Sequence, residues 1–93
     1  RLDQYFNILD ADIDTAARLG HTPASIRHLN LRALLADNTD VDSLRIMRDL
    51  TLDGSSSDPL PFRFLAAAGR VRTLHCRLHP LPDRQLLLIA TLA

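Results

Sequence analysis

The feature that most constrains the fold is an alternation of side chains in residues 60–66. Arg63 stands among apolar side chains that occupy every second position of this stretch: Leu60, Phe62, Phe64 and Ala66. A period of two is the pattern of a half-buried β-strand, whose successive side chains point to opposite faces. We therefore expect a strand here, with Arg63 on the face opposite the apolar side chains.

Two more strand-like runs follow, at residues 70–78 and 84–92. Turn residues separate the three runs: Ala68-Gly69 follows the first, and Pro82-Asp83 follows the second. Glycine supplies the positive φ that a hairpin turn needs, and a Pro-Asp pair favours a turn. The pattern predicts a three-stranded antiparallel meander over residues 59–93.

The second and third runs predict how the sheet is covered. In the second run the apolar side chains change faces near Arg72, which predicts a β-bulge or a strong twist there. The third run is apolar on both faces. Leu87 and Ile89 are on one face, and the other face carries Leu86, Leu88 and Leu92. A strand of this kind is covered on both sides. We expect helices on one face, and an N-terminal helix or a second subunit on the other.

Residues 1–20 allow two interpretations. One is a strand or extended entry at about 4–10, followed by a helix from about Asp12 to Leu19. The other is a single helix that ends at Gly20, since glycine favours the residue after a helix. We prefer the first, in which residues 1–11 form the entry segment.

The middle of the chain, residues 12–53, is predicted to be helical. Thr22 is a favourable N-cap, and Pro23 is favoured at the first helical position. The longest helix is expected at about 40–52, where apolar side chains recur at helical spacing: Val41, Leu44, Met47 and Leu50.

Length and charge narrow the class of protein. The 93 residues are enough for one domain, and no apolar run is long enough to span a membrane. Residues 63–93 hold five Arg and one Asp, a net charge of +4, whereas residues 1–62 hold six Arg and ten Asp, a net charge of −4. With no net charge overall, this distribution favours pairing within or between chains over nucleic-acid binding.

The single cysteine, Cys76, suits a reducing compartment, and we expect a cytoplasmic protein.

Three segments together resemble those of a PAS domain. They are residues 16–26, Ala-Ala-Arg-Leu-Gly-His-Thr-Pro-Ala-Ser-Ile; residues 68–72, Ala-Gly-Arg-Val-Arg; and residues 81–89, Leu-Pro-Asp-Arg-Gln-Leu-Leu-Leu-Ile. The resemblance covers roughly residues 7–93. It implies a single α+β domain, residues 1–93, in which short helices and one longer helix pack on one face of an antiparallel sheet. Too few residues precede Ala16 for the two strands that usually open this fold, so one strand is expected to be shortened or missing.

The resemblance implies a regulatory sensor or dimerisation domain of a bacterial signalling protein. It would form a homodimer and act on an output domain in the same chain, of the histidine kinase or diguanylate cyclase type. By the family's logic a small ligand would lie between the sheet and the long helix, and the candidate pocket residues are Leu35, Leu44, Met47, Phe62, Phe64, Leu74, Cys76 and Ile89. The candidate dimer-interface residues are Tyr5, Phe6, Leu86, Leu88 and Leu92. The alternative is a ligand-free scaffold for protein–protein assembly.

Candidate metal sites are weak. Asp10-x-Asp12-x-Asp14 resembles the start of a calcium loop, but that loop needs Gly at its sixth and Glu at its twelfth position, where Thr15 and His21 stand. We interpret these carboxylates as solvated charges and expect no metal site. PAS domains that bind haem use a histidine on the long helix, where this chain has none; His28 would be the nearest substitute.

Cofactor and catalytic motifs are equally sparse. The Asn-Cys-Arg-Phe motif of the light-sensing relatives is absent, and Cys76 is most simply a core residue. No nucleophile–base–acid set, glycine-rich phosphate loop or paired catalytic carboxylates can be recognised. We expect no enzyme activity, and the sequence does not name a cofactor.

Overall fold

The computed structural model describes residues 1–55, 58–66 and 69–92 and has an α+β fold. Its elements, in chain order, are α1 (Ile13–Arg18), α2 (Pro23–Ile26), a 3-10 turn (Leu31–Leu34), α3 (Asn38–Leu52), β1 (Leu60–Leu65), β2 (Val71–Leu81), a second 3-10 turn (Pro82–Arg84) and β3 (Gln85–Leu92). The three strands form one antiparallel sheet in the order β1-β2-β3, which confirms the meander. The helix α3 has 15 residues, and no helix among the described residues is both long and apolar enough to cross a membrane.

The helices α2 and α3 begin where a side chain accepts a hydrogen bond from a free backbone N–H group. Thr22 caps α2 by accepting a hydrogen bond from the Ser25 N–H, and the Ser25 hydroxyl accepts one from the Thr22 N–H in return. The Asp37 carboxylate accepts a hydrogen bond from the Thr39 N–H at 2.7 Å. This bond makes Asp37 the N-cap and starts α3 at Asn38, two residues before the predicted start.

The N-terminal segment is a tight loop rather than a strand or a long helix. The Asp3 carboxylate accepts hydrogen bonds from the N–H groups of Tyr5 and Asn7, each at 2.9 Å, and turns the chain. Leu2 consequently lies beside Ile8 in a single antiparallel bridge. The single-helix interpretation of residues 1–20 is therefore wrong, and the strand at 4–10 is replaced by this loop.

The N-terminal segment still joins the sheet at one point. Leu2 and Leu86 exchange both backbone hydrogen bonds, at 2.7 and 2.8 Å. Asn7 forms a similar isolated bridge with Asn30. One opening strand was expected to be shortened or missing; among the described residues, the segment before α1 forms isolated bridges and no strand at all.

The register of the sheet is continuous. Leu60 pairs with Cys76, and every following residue of β1 pairs in turn up to Leu65 with Val71. The predicted bulge near Arg72 is therefore wrong, and the alternative, a strong twist, stays a prediction. Val71 is apolar but simply lies on the exposed face, and its exposed fraction is 56%.

The turn between β2 and β3 determines which face of β3 is buried. Asp83 and Arg84 both have positive φ, at 61° and 58°, and the turn closes with Leu81 paired to Gln85. This register places Leu88 opposite Leu78 and Ala90 opposite Cys76. The other predicted turn falls partly on Ala68, which lies outside the described residues, whereas Gly69 has the expected positive φ of 72°.

The core lies between the inner face of the sheet and the helices. Its buried apolar side chains are Leu2, Phe6, Ile8, Ala16, Leu19, Ile26, Leu31, Leu34, Leu35, Leu44, Met47, Phe62, Phe64, Leu74, Cys76, Leu78, Leu86 and Ala90. Leu44 and Met47 come from α3, which packs on β2. The helices therefore cover one face of the sheet.

Candidate functional site

Most of the predicted ligand-pocket residues come together, but they pack against one another. Seven of them lie in the buried core: Leu35, Leu44, Met47, Phe62, Phe64, Leu74 and Cys76. Each of these side chains is at most 8% exposed. Side chains packed this closely fill the space between α3 and the sheet in the way that protein interiors are normally filled. A ligand at this position stays a prediction.

Ile89 is not part of this group. It pairs with Arg77 across β2 and β3, on the face that the helices do not cover. The two faces of β3 are the reverse of those predicted, in which Ile89 lies inside and Leu86 and Leu88 lie outside. Leu86 is fully buried, and Leu88 packs against the core. Because β3 is apolar on both faces, only the register could have identified the inner one.

Cys76 is an inert core thiol. It has no exposed surface, and burial raises the pKa of its thiol to about 12. Only the thiolate is a nucleophile, so Cys76 stays unreactive near neutral pH.

The candidate dimer-interface residues are divided between core and surface. Tyr5 and Leu92 are exposed, at 61% and 62%. Phe6 is buried with an exposed fraction of 1%, and with Leu86 and Leu88 it belongs to the core layer. Phe6 and Leu86 therefore have almost no exposed surface and Leu88 is partly buried, because the N-terminal loop turns Phe6 inward and the register turns the two leucines inward.

The surface that could accept a partner is the outer sheet face. Its side chains alternate with the buried ones and are Pro61, Arg63, Leu65, Val71, Thr73, His75, Arg77, His79, Leu87, Ile89 and Thr91. Leu65 and Val71 form a cross-strand pair and are 45% and 56% exposed. Leu87 is 37% exposed and pairs with His79. The face thus carries apolar side chains at both ends, with basic side chains between them.

A cavity of about 210 Å³ lies at the free edge of β3; we call it the edge cavity. Its apolar wall is formed by Leu2, Ile8, Leu19, Ile26, Leu31 and Leu88. Polar side chains also line it, and among them Arg1 forms an ion pair with Asp10 at 3.1 Å. An engineered cavity of about 150 Å³ can bind benzene, so the edge cavity is large enough for a small ring. It exists because the N-terminal segment adds a single bridge, rather than a full strand, to β3.

The predicted metal and haem ligands do not assemble. Asp10 is paired with Arg1, and Asp12 is the residue before α1. His28 is exposed and has a positive φ of 75°. In the part of the chain that the structure describes, no three His, Cys, Asp or Glu side chains come close enough to hold a metal ion.

A three-stranded antiparallel meander, preceded by short helices and one longer helix on its inner face, defines a PAS-like α+β fold. The same fold occurs in the crystal structure of a domain of the sensory box sensor histidine kinase/response regulator from Geobacter sulfurreducens. The TM-score is 0.78 over 97% of this chain and 77% of that chain, with 20% sequence identity. No family model and no curated protein matches the chain. The likeness therefore confirms the fold that the sequence resemblance implied.

Proposed function

We propose that this chain is a sensor domain of a bacterial signalling protein, which pairs with a second copy and biases an output domain in the same chain. The outer sheet face carries this proposal. Leu65, Val71 and Leu87 are large apolar side chains on a face that no described helix covers. The structural neighbour is itself a domain of a sensor histidine kinase/response regulator, which supports a signalling role.

The charges on this face indicate how two copies would meet. Arg77 pairs with Ile89 across the strands, and it has no ion pair among the residues that the structure describes. Two copies stacked centre to centre would bring these arginines together, and like charges in contact are unfavourable. Pairing is therefore favoured at an end of the face, where Leu65 and Val71 lie side by side. The proposal includes a cytoplasmic location and no catalytic activity.

The experiment is to measure the molar mass of the purified domain across a range of concentrations by light scattering and sedimentation. Val71→Asp places a charge on the outer sheet face, and Leu50→Asp is the matched control because Leu50 is equally exposed, at 56%, but lies on α3. We expect dimers that Val71→Asp weakens and Leu50→Asp leaves intact. A domain that remains monomeric at high concentration, or equal loss in both variants, would refute pairing through this face.

A ligand-free scaffold is the second candidate, and the filled core supports it. Leu44, Met47 and Phe62 leave little space where the ligand was predicted. If the domain senses a ligand, the edge cavity is the better location. Native mass spectrometry of the purified domain separates the two candidates, because a sensor retains a stoichiometric small molecule and a scaffold carries none.

A further inference from the structure

A second cleft, with a volume of about 170 Å³, lies between the N-terminal loop, α3 and the turn before β3. It is lined by Gln4, Tyr5, Arg48, Asp49, Leu52 and Arg84. None of these residues lines the edge cavity, so the two sites are distinct. We call it the arginine cleft, because two arginines from distant parts of the sequence meet there.

Gln4 holds the two arginines. The Arg84 Nε donates to the Gln4 side-chain Oε1 at 2.6 Å, and the Arg48 Nη1 donates to the Gln4 backbone carbonyl at 3.1 Å. Arg48 is further fixed by the Phe6 ring, whose centroid lies 5.0 Å from the guanidinium carbon. Both cations are therefore positioned before any ligand arrives.

The charge in the arginine cleft is only partly balanced. The Arg48 Nε donates to Asp49 at 3.0 Å, but the Asp49 side chain is 65% exposed. Arg84 forms no ion pair within the described residues, although Asp83 precedes it in the turn. The Arg84 guanidinium has five N–H groups, and Gln4 accepts a hydrogen bond from one of its nitrogens, Nε. Within residues 1–55, 58–66 and 69–92, the remaining donors have no other acceptor and can bind an oxyanion.

The backbone conformation of the β2–β3 turn determines where the Arg84 side chain lies. Asp83 and Arg84 are consecutive non-glycine residues with positive φ, the conformation that a tight turn between two antiparallel strands favours. Here it accompanies the placement of the Arg84 side chain against Gln4.

We propose that the arginine cleft binds a phosphate-type anion, with Arg48 and Arg84 as its ligands and Tyr5 at its rim. Paired guanidinium groups suit phosphate because their planar N–H forks match its oxygens. A bound anion would link α3, the β2–β3 turn and the N-terminal loop, and would offset the repulsion between the arginines. This site does not depend on pairing through the outer sheet face.

The test is calorimetric titration of the purified domain with inorganic phosphate and with phenyl phosphate, against sodium chloride at equal ionic strength. Arg84→Gln removes one ligand on the surface. Arg45→Gln is the matched control, because Arg45 lies on α3 with a 60% exposed side chain and pairs with Asp42 outside the cleft. We expect Arg84→Gln to weaken binding about tenfold, the effect of one lost charge-assisted hydrogen bond. Arg45→Gln should leave the affinity unchanged.

A preference for phenyl phosphate would assign the site to a phosphate monoester, and equal affinity would assign it to free phosphate. Thermal unfolding supplies a second measurement, since a ligand of the folded state raises the melting temperature, and more so as its concentration exceeds its dissociation constant. No binding by the wild-type domain, or the same loss in Arg45→Gln, would overturn the proposal. Either result would leave pairing through the outer sheet face unaffected, because Arg84 is not part of that face.

Discussion

Arg48 lies over the ring of Phe6, with its guanidinium carbon 5.0 Å from the ring centroid. Phe6 has a positive φ of 69° and is 1% exposed, so the loop turns a large aromatic side chain into the core at a strained position. Arg48 covers the outer side of that ring and donates to the Gln4 carbonyl. This contact connects α3 to the N-terminal loop.

Replacement of Phe6 should therefore destabilise the domain strongly. We expect Phe6→Ala to lower the free energy of unfolding by about 3–5 kcal/mol, as for other buried aromatics. Tyr5→Ala is the control, because Tyr5 is the neighbouring aromatic residue and is 61% exposed; its effect should stay below about 1 kcal/mol. Urea denaturation followed by circular dichroism measures both. Similar losses in the two variants would show that the loop does not hold Phe6 in the core.

The cap of α3 should make stability depend on pH. The pKa of Asp37 is lowered chiefly by its hydrogen bonds from Thr39, and further by the nearby Arg63. A lowered folded-state pKa contributes stability that is present above the unfolded-state value, near 3.8, and is lost as the pH falls through the folded-state value. Asp37→Asn keeps a capping side chain without the charge.

We accordingly expect the wild-type domain to be more stable than Asp37→Asn at neutral pH, with the difference shrinking as the pH falls from about 5 to about 2. Thermal unfolding of both proteins across this range measures the difference. Asp42→Asn serves as the control, since Asp42 pairs with the exposed Arg45 and lies within α3 rather than at its cap. Parallel wild-type and Asp37→Asn curves at every pH would contradict the role given to this carboxylate.

The Cys76 thiol should be protected until the domain unfolds. Burial raises its pKa to about 12, so very little thiolate forms at pH 8, and the side chain has no exposed surface. We expect negligible reaction with an aromatic disulfide reagent in buffer and complete reaction of one thiol per chain in concentrated urea. Rapid modification of the folded domain would instead place Cys76 at an open site.

The meander could be predicted from sequence because its evidence is local. The alternation around Arg63 predicts a strand from a few residues, and the structure has β1 there. The Pro82-Asp83 pair likewise predicts a turn, and a 3-10 turn lies there. Thr22 and Pro23 similarly marked the start of α2, where the capping box forms. Such signals depend on backbone geometry and on neighbouring hydrogen bonds, and both can be read from a short stretch of sequence.

The arginine cleft and the edge cavity could not be predicted in this way. Arg48 and Arg84 meet only because the Asp3 carboxylate turns the N-terminal loop and brings Gln4 between them. The edge cavity depends on a single bridge between Leu2 and Leu86, residues at opposite ends of the chain. Contacts over such separations leave no local pattern.

Which face of β3 is buried is the clearest example of a feature that the local sequence does not predict. The buried face can be tested with two adjacent leucines. Leu86 has no exposed surface, whereas Leu87 is 37% exposed on the outer sheet face. Leu86→Ala should cost about 2–5 kcal/mol of unfolding free energy, because it leaves a cavity in the core. Leu87→Ala should cost less than about 1 kcal/mol in the monomer, because the surface there already contacts water. Urea denaturation at low protein concentration compares the two, and a larger loss for Leu87→Ala would show that the strand presents its other face to the helices.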